Sequence, residues 1–146
     1  MTGVKIKRLR PEARLPVYGT EASAGADLCA CIEEAVTIAP GETALLPTGL
    51  AAAIPAGYAG LIFARSGLAS KRGLAPANKV GVIDADYRGE ILISLLNHSA
   101  APQTVQPFER VAQLVIVPFL KADFTEADEL DDTARGAGGF GSTGTK

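Results

Sequence analysis

Short apolar segments with a period near two constrain the fold of this 146-residue chain more than any other feature. Apolar and polar residues alternate in these segments, as is typical of strands with one buried face. Each segment ends at glycine, proline, asparagine or aspartate, and the nine prolines leave little room for long helices. Many short strands at even spacing predict a single all-β domain, a sandwich or barrel. The apolar segments are 35–38, 43–46, 50–54, 60–63, 80–83, 91–96, 104–105 and 111–119.

One segment, 66–73, favours a short helix instead. Ser66 stands where an N-cap is expected, Lys71 and Arg72 fall in the last turn, and Gly73 follows the end. The start of this helix is also a candidate anion site, because free backbone N–H groups point outward there and Arg65 adds a planar charge. A capped surface helix explains the same residues, so both interpretations stay open.

Charge and hydropathy exclude several classes of protein. A net charge of −2 argues against a stable nucleic-acid partner, since a duplex binder needs a clustered basic face. No apolar run approaches the roughly 18 residues of a membrane span, so no membrane partner is expected. No signal peptide is visible at the N-terminus, and we expect a cytoplasmic protein. Cys29 and Cys31 lie too close along one strand to bridge comfortably, which predicts two reduced thiols.

Segment 81–91 is the strongest candidate for chemistry. Two apolar strands flank a tight polar connection, which predicts a β-hairpin. Asp84 ends a strand that we expect to be buried, and Asp86 lies in the turn. A carboxylate beside a cavity can act as a general base on water, although aspartates in such loops also cap turns. Tyr87 is either an aromatic wall of a site or core filler.

Two further polar residues interrupt apolar surroundings. Asp27 can help to hold Mg²⁺ together with substrate phosphates, or it can serve as an ordinary turn residue. Gln113 lies inside an apolar strand and needs polar partners from the protein or from a ligand. Arg110 and Gln113 are three residues apart, so we expect them to face opposite sides of an extended strand.

The C-terminus changes character after an acidic stretch at 126–132. Residues 135–144 are mostly glycine and match G-x-G-x-x-G literally, but the chain ends too soon for the helix that a dinucleotide fingerprint or a P-loop requires. Glycines nevertheless let backbone N–H groups approach phosphate oxygens, and the Arg135 guanidinium can donate hydrogen bonds to two of these oxygens. A disordered terminus is the alternative. We therefore divide the chain into an all-β domain, 1–130, and a Gly-rich C-terminal arm, 131–146.

Five segments, in this order, resemble the five motifs of the trimeric dUTP pyrophosphatases (dUTPases): 24–28, 65–68, 81–91, 110–113 and 135–144. The resemblance covers almost the whole chain. It implies a distorted jelly-roll β-barrel with one short helix, assembled as a homotrimer whose active sites are shared between chains. It also implies Mg²⁺-assisted hydrolysis of dUTP to dUMP and pyrophosphate, which limits uracil in DNA and supplies dUMP for dTMP synthesis.

The resemblance assigns roles to individual residues. Asp84 matches the carboxylate that activates the attacking water at the α-phosphorus, and Asp27 matches the acid that supports Mg²⁺ through water. Tyr87 would lie under the deoxyribose and leave no room for a 2′-OH, while Phe140 of the arm would cover the uracil. The substrate-binding set that the resemblance implies is Arg65, Ser66, Gly67, Asn78, Val82, Ile83, Asp84, Tyr87, Leu92, Gln113, Arg135, Phe140, Gly141, Ser142 and Thr143.

The sequence departs from the family pattern at three positions, Ala26, Ala64 and Phe108, and none of them removes a catalytic group. Phe108 stands where glycine is usual, so the turn there is open to reshaping. Two alternative functions remain. A dCTP deaminase-like enzyme of the same fold needs a Glu base, whereas this chain presents Asp84. A regulatory trimer that binds dUTP without hydrolysing it is the other alternative.

Overall fold

The computed structural model describes residues 3–139, and this part of the chain forms twelve β-strands and one short helix. The predicted all-β architecture with one short helix is therefore confirmed. In chain order the elements are β1 (Lys5–Arg8), β2 (Val17–Tyr18), β3 (Ala26–Cys29), β4 (Val36–Ile38), β5 (Thr43–Pro47), β6 (Leu50–Ala53), β7 (Tyr58–Phe63), α1 (Ser66–Arg72), β8 (Leu74–Pro76), β9 (Gly81–Ile83), β10 (Leu92–Asn97), β11 (Gln103–Val105) and β12 (Arg110–Pro118).

The strands form four antiparallel sheets. The largest has the order β2-β3-β12-β7-β9, and a three-stranded sheet has the order β5-β10-β8. Two pairs, β1-β6 and β11-β4, complete the described strands. Most neighbours in a sheet are distant in sequence, so the chain crosses repeatedly between sheets. This leaves the connecting loops at the surface of a common scaffold.

A continuous apolar core holds the sheets together. It includes Leu28, Leu46, Leu50, Leu95 and Val105, each almost completely buried. Burying a side chain of this size contributes roughly 1.5–3 kcal/mol. The buried polar side chain of Asn97 is fully bonded: its amide donates to the carbonyls of Ile38 (2.9 Å) and Ala101 (2.8 Å). The loops that carry the candidate site therefore start from fixed strand ends.

Helix α1 ends as predicted but begins differently. Gly73 adopts the left-handed conformation (φ 65°) and its N–H donates to the carbonyl of Ala69 at 3.0 Å, with Lys71 and Arg72 in the last turn. The N-cap is Arg65, in extended conformation, and it makes no side-chain capping hydrogen bond. The prediction that Ser66 caps the helix was wrong, because Ser66 is itself the first helical residue.

The hairpin predicted for segment 81–91 was also wrong in its pairing. Strand β9 pairs with β7, and β10 pairs with β5 and β8, so β9 and β10 belong to different sheets. Ile83 and Ile91, at the two ends of the connection, are both buried in the common core. The connection between them is therefore a loop that passes from one sheet to the other.

A β-bulge in β12 overturns a third expectation. Arg110 is opposite Cys29 of β3, whereas Gln113 is opposite Asp27, and the register shifts between Arg110 and Ala112. Since Cys29 and Asp27 are two residues apart, they share a face of the strand, and their partners share it too. The extra residue of the bulge thus brings Arg110 and Gln113 to the same side, where alternation alone predicts opposite sides.

Beyond β12, residues 119–139 contain no helix or strand and are almost entirely exposed. Leu120 and Phe124 are 98% and 94% exposed, although both are large and apolar. Within the described part of the chain, Cys29 and Cys31 are free thiols, as predicted. No helix among these residues has the length and apolar character needed to cross a membrane.

Candidate active site

Six of the predicted site residues line one cavity of about 250 Å³ between β9 and β10. The cavity lies where the two sheets separate, and its walls come from the end of β8, from β9, from the 84–91 loop and from the start of β10. We call it the hairpin pocket, after the hairpin that the sequence predicted for segment 81–91. The predicted residues that it contains are Asn78, Val82, Ile83, Asp84, Tyr87 and Leu92.

The loop that carries Asp84 is held by its own hydrogen bonds. The N–H of Tyr87 donates to the carbonyl of Asp84 (3.2 Å), and the Tyr87 hydroxyl donates to the carbonyl of Glu90 (2.9 Å). Arg88 Nη1 donates to the carbonyl of Ala85 at 2.7 Å. Asp84 itself is exposed, directly after the buried Ile83. Among residues 3–139 its carboxylate accepts no hydrogen bond from the protein, so it is available to a water molecule.

Glu90 is a residue of this pocket that the sequence interpretation missed. It lines the cavity, and its Oε1 accepts a hydrogen bond from the N–H of Gly49 at 2.7 Å. Gly49 lies in the β5–β6 turn at φ 68°, a conformation that suits glycine. The contact ties the end of the 84–91 loop to the barrel. The only feature of the sequence that pointed to Glu90 as a pocket residue was its position at the end of the polar connection.

A second cavity, of about 660 Å³, contains five of the six other predicted residues that the structure describes. Its walls come from the 19–27 segment, from α1 and from the first half of β12. We call it the phosphate pocket. The predicted residues that it contains are Asp27, Arg65, Ser66, Gly67 and Gln113.

Asp27 is the electrostatic centre of the phosphate pocket. Its Oδ1 accepts from Arg65 Nε at 2.7 Å, while its Oδ2 accepts from Arg65 Nη2 at 3.3 Å and from Arg110 Nη1 at 3.0 Å. Its side chain is only 16% exposed. The β-bulge makes this cluster possible, because it turns Arg110 toward Asp27.

The Gln113 amide is held by a hydrogen bond to a backbone carbonyl, and it fills space that is free because Gly25 has no side chain. Its Nε2 donates to the carbonyl of Ala64 at 2.8 Å, immediately before Arg65. A Cβ atom added at Gly25 would collide with the Gln113 amide. Gly25 thus keeps the space that the amide occupies, a role that the sequence interpretation did not assign.

Arg72 and Glu109 form a second ion pair in the phosphate pocket, which sequence reasoning also missed. Arg72 donates to Glu109 Oε1, to Gln103 Oε1 at 3.1 Å and to the carbonyl of Thr104 at 2.5 Å. Glu109 Oε2 in turn accepts from the N–H of Gln106 at 2.9 Å. The pair fastens the end of α1 to the segment that leads into β12.

The two pockets share no lining residue, so the structure does not bring Asp84 together with Arg65 and Gln113 within one chain. Arg135 lines neither pocket; its Nε donates to the carbonyl of Gly138 at 2.9 Å in an exposed turn. Phe140, Gly141, Ser142 and Thr143 lie outside the described residues.

The phosphate pocket offers a divalent cation little direct ligation. No group of three His, Cys, Asp or Glu side chains capable of holding a metal occurs within residues 3–139. Both oxygens of Asp27 already have guanidinium partners. Mg²⁺ commonly keeps several waters and combines one or two carboxylates with substrate phosphates. The residues present therefore fit Mg²⁺ through water rather than by direct coordination.

The thiols near these pockets are not nucleophiles. Burial raises the pKa of Cys29, and the nearby Arg14 and Arg110 only oppose this effect. Burial also raises the pKa of Cys31, and the charge of Glu12 adds to it. Both thiols stay protonated at neutral pH, which leaves carboxylates as the bases that the pockets can offer.

Comparison with known proteins agrees with this geometry. The dUTPase family model matches residues 11–144. A deoxyuridine 5′-triphosphate nucleotidohydrolase of Paraburkholderia phytofirmans is 52% identical over 142 residues, covering 97% of this chain and 96% of its own. The enzyme of that name in Neisseria meningitidis serogroup B is 54% identical over 133 residues, covering 90% and 88%. The chain belongs to the dUTPase family.

Solved structures support the same fold. A variant of the Staphylococcus bacteriophage 80alpha dUTPase in complex with dUpNHpp is 30% identical, with a TM-score of 0.84 and 99% coverage of both chains. A variant of the dUTPase from phage phi11 of S. aureus, described with a structural Mg(II) ion, has a TM-score of 0.79 at 28% identity, covering 89% and 99%. The predicted jelly-roll β-barrel is thereby confirmed.

Proposed function

We propose that this chain hydrolyses dUTP to dUMP and pyrophosphate by attack of water on the α-phosphorus. The observation that carries the proposal is the hairpin pocket, in which an exposed carboxylate, without a hydrogen-bond partner in the part of the chain that the structure describes, adjoins a cavity bordered by open strand edges. Phosphoryl transfer leaves the protein mainly positioning and charge stabilisation to perform. The two pockets supply both. Such an activity limits uracil in DNA and supplies dUMP for dTMP synthesis.

Backbone groups at two strand edges are available to read the pyrimidine. Strand β9 is the last strand of its sheet, so one edge of Gly81–Ile83 has no neighbouring strand among those described. In β10, β8 pairs only with Leu95–Asn97, which leaves the edge near Leu92 without a strand partner on that side. N–H and C=O groups there can pair with the uracil edge, and the Asn78 side chain adds to them. Tyr87 would lie under the deoxyribose and exclude a 2′-OH.

Asp84 is the proposed general base. Its carboxylate can accept the proton of the water that attacks the α-phosphorus, an effect worth roughly 10²- to 10⁴-fold in rate. Arg65, Ser66, Gly67 and Gln113 bind the phosphate chain. Mg²⁺, held by phosphate oxygens and through water by Asp27, would neutralise charge on the triphosphate.

Assembly as a homotrimer would join the two kinds of pocket. The chain carries a hairpin pocket and a phosphate pocket that are separate, so a complete site needs one pocket from each of two copies. An apolar groove of about 630 Å³, lined by Val4, Tyr58 and Ile116 among others, opens beside the end of β12. The exposed Leu120 and Phe124 follow directly in the chain. Apolar surface of this kind is typical of an interface between subunits.

In this assembly the barrel domain, 1–130, contributes its final segment to a neighbouring subunit. The arm, 131–146, closes over the occupied site, where Arg135, Phe140, Gly141, Ser142 and Thr143 would contact the nucleotide. Closure would exclude bulk water and complete the set of phosphate ligands. We propose that the enzyme acts in the cytoplasm, in keeping with its two free thiols.

The deciding experiment offers the full-length chain dUTP, dCTP, dTTP and UTP with Mg²⁺ and measures pyrophosphate, proton and ammonia release. Pyrophosphate from dUTP alone is the expected result. Ammonia from dCTP would identify a deaminase, although Glu90, the other acid that lines the hairpin pocket within residues 3–139, is already bonded to Gly49. Tight binding of dUTP without turnover would identify a regulatory protein. A sedimentation mass near that of one chain would overturn the trimer.

A further inference from the structure

Some of the charged side chains that line the phosphate pocket form ion pairs with each other, and others do not. Three cationic side chains line it: Arg65, Lys71 and Arg72. Two carboxylates, Asp27 and Glu109, line it as well. Arg65 is paired with Asp27 at 2.7 Å, and Arg72 is paired with Glu109. The Arg72–Glu109 pair is therefore neutral before any ligand arrives, whereas Asp27 is shared by Arg65 and Arg110, so this cluster keeps one net positive charge.

Lys71 differs from both arginines. It is exposed, and among residues 3–139 no carboxylate lies within ion-pair distance of its ammonium group. It follows Gly67 by four residues, so the two lie on the same face of α1. A Cβ added at Gly67 would meet nothing within 4 Å, which shows that this face is open. Within the described residues, Lys71 is thus the cation of this pocket that has no carboxylate partner, and it lies on the open wall.

We propose that Lys71 binds the phosphates beyond the α-phosphoryl group of dUTP; this inference rests on the proposed function and deepens it. The α-phosphorus must lie beside the water held by Asp84 in the hairpin pocket. The β- and γ-phosphates then extend into the phosphate pocket of a second copy of the chain, which Lys71 of that copy lines. A lysine is suited to this task because its ammonium is a compact charge on a flexible stem and can follow a phosphate chain.

In this arrangement Lys71 would contact the triphosphate substrate but not the monophosphate product. After hydrolysis dUMP retains only the α-phosphate, so Lys71 loses its contact when pyrophosphate leaves. A substitution at Lys71 should therefore weaken binding of the triphosphate and leave binding of the monophosphate unchanged. A residue that merely supports the fold would weaken both.

The test compares Lys71→Gln with Lys7→Gln, a matched control that removes one exposed lysine from β1, outside both pockets. Calorimetry with Mg²⁺ gives Kd for a non-hydrolysable imido analogue of dUTP and for dUMP, and turnover gives KM. We expect Lys71→Gln to raise the analogue Kd and the dUTP KM about three- to tenfold. The dUMP Kd should not change, Lys71→Arg should recover most of the loss, and Lys7→Gln should behave as wild type.

An unchanged analogue Kd in Lys71→Gln would overturn the proposal, and so would equal losses for analogue and dUMP. Equal losses in Lys7→Gln would also overturn it, because they would show an effect of net charge alone. A wild-type chain that binds the analogue but does not hydrolyse dUTP would overturn the proposed hydrolysis and leave the Lys71 comparison of Kd values valid. A wild-type chain that does not bind the analogue would overturn both.

Discussion

At the scale of single residues, the hairpin pocket depends on how Asp84 is presented. The buried side chain of Ile83 anchors the residue just before Asp84. The backbone carbonyl of Asp84 accepts a hydrogen bond from the N–H of Tyr87. The backbone on both sides is thus fixed while the carboxylate remains exposed. A base that stays solvated in the free protein can hold the water that it later activates.

Replacement of this one carboxylate should separate binding from chemistry. In Asp84→Asn the amide keeps the shape of the side chain but cannot accept the proton of water. We expect kcat for dUTP to fall about 10²- to 10⁴-fold, while the Kd of the imido analogue stays close to wild type. Single-turnover hydrolysis and calorimetry measure the two quantities. A variant with near-wild-type kcat would remove Asp84 from its proposed role.

At the scale of elements, the turn before β12 combines an unfavourable backbone with a compensating side-chain contact. Phe108 has φ 60°, in the left-handed region that glycine favours, and its N–H donates to the carbonyl of Ala30 at 2.8 Å. The Arg14 guanidinium lies 4.6 Å from the centre of the Phe108 ring. The turn leads directly to Glu109 and Arg110, so its conformation sets where β12 begins.

Two substitutions at Phe108 can measure these opposing effects. Phe108→Ala removes the ring but keeps a Cβ in the left-handed conformation, whereas Phe108→Gly removes both. We expect the glycine variant to be more stable than the alanine variant by about 1 kcal/mol, because left-handed backbone costs an L-residue roughly that much. Urea unfolding of the two variants and wild type measures this. Equal midpoints for the two variants would show that the turn is not strained.

The alternation of apolar and polar residues was enough to predict the class of fold. The local sequence was also enough to predict the end of α1, where Gly73 stops the helix. It was not enough for strand partners: β9 and β10 satisfy a hairpin pattern, yet β9 pairs with β7 and β10 pairs with β5 and β8, in two different sheets. The bulge after Arg110 was invisible as well, because one extra residue reverses the alternation from which sidedness is inferred. The pairing of Arg72 with Glu109 joins residues far apart in sequence, which periodicity does not report.

The order of the five motifs predicted the residues of the site, and their roles stay predictions, although eleven of them line the two pockets. What the sequence did not show is their division into two pockets. Asp84 and Gln113 belong to the same predicted site and depend on the same five-stranded sheet, but Asp84 lies in the loop after β9, whereas Gln113 lies within β12 and lines the other pocket. Gly25 leaves space for the Gln113 amide, and Glu90 accepts a hydrogen bond from Gly49. Both roles depend on neighbours that are distant in sequence, so the sequence alone does not show them.

At the scale of the whole molecule, the barrel and the arm should separate experimentally. The last strand ends at Pro118, and no residue after it belongs to the buried core of the described chain. We expect deletion of residues 134–146 to leave the thermal unfolding midpoint and the sedimentation mass unchanged. Turnover of dUTP should fall severely, because Arg135 and the arm residues after it would be lost. A truncated chain that unfolds, or one that remains fully active, would contradict the division.

Because the hairpin pocket and the phosphate pocket lie apart on each chain, two dead variants should rescue each other when co-assembled. Asp84→Asn spoils only the first pocket, and Arg65→Ala spoils only the second. In randomly mixed heterotrimers, about a quarter of the sites would draw both halves from intact donors. Unfolding and refolding the two variants together should restore that share of activity, whereas refolding them apart should restore none. Genetic complementation between two inactive alleles would then follow from nothing more than where one chain places its two cavities.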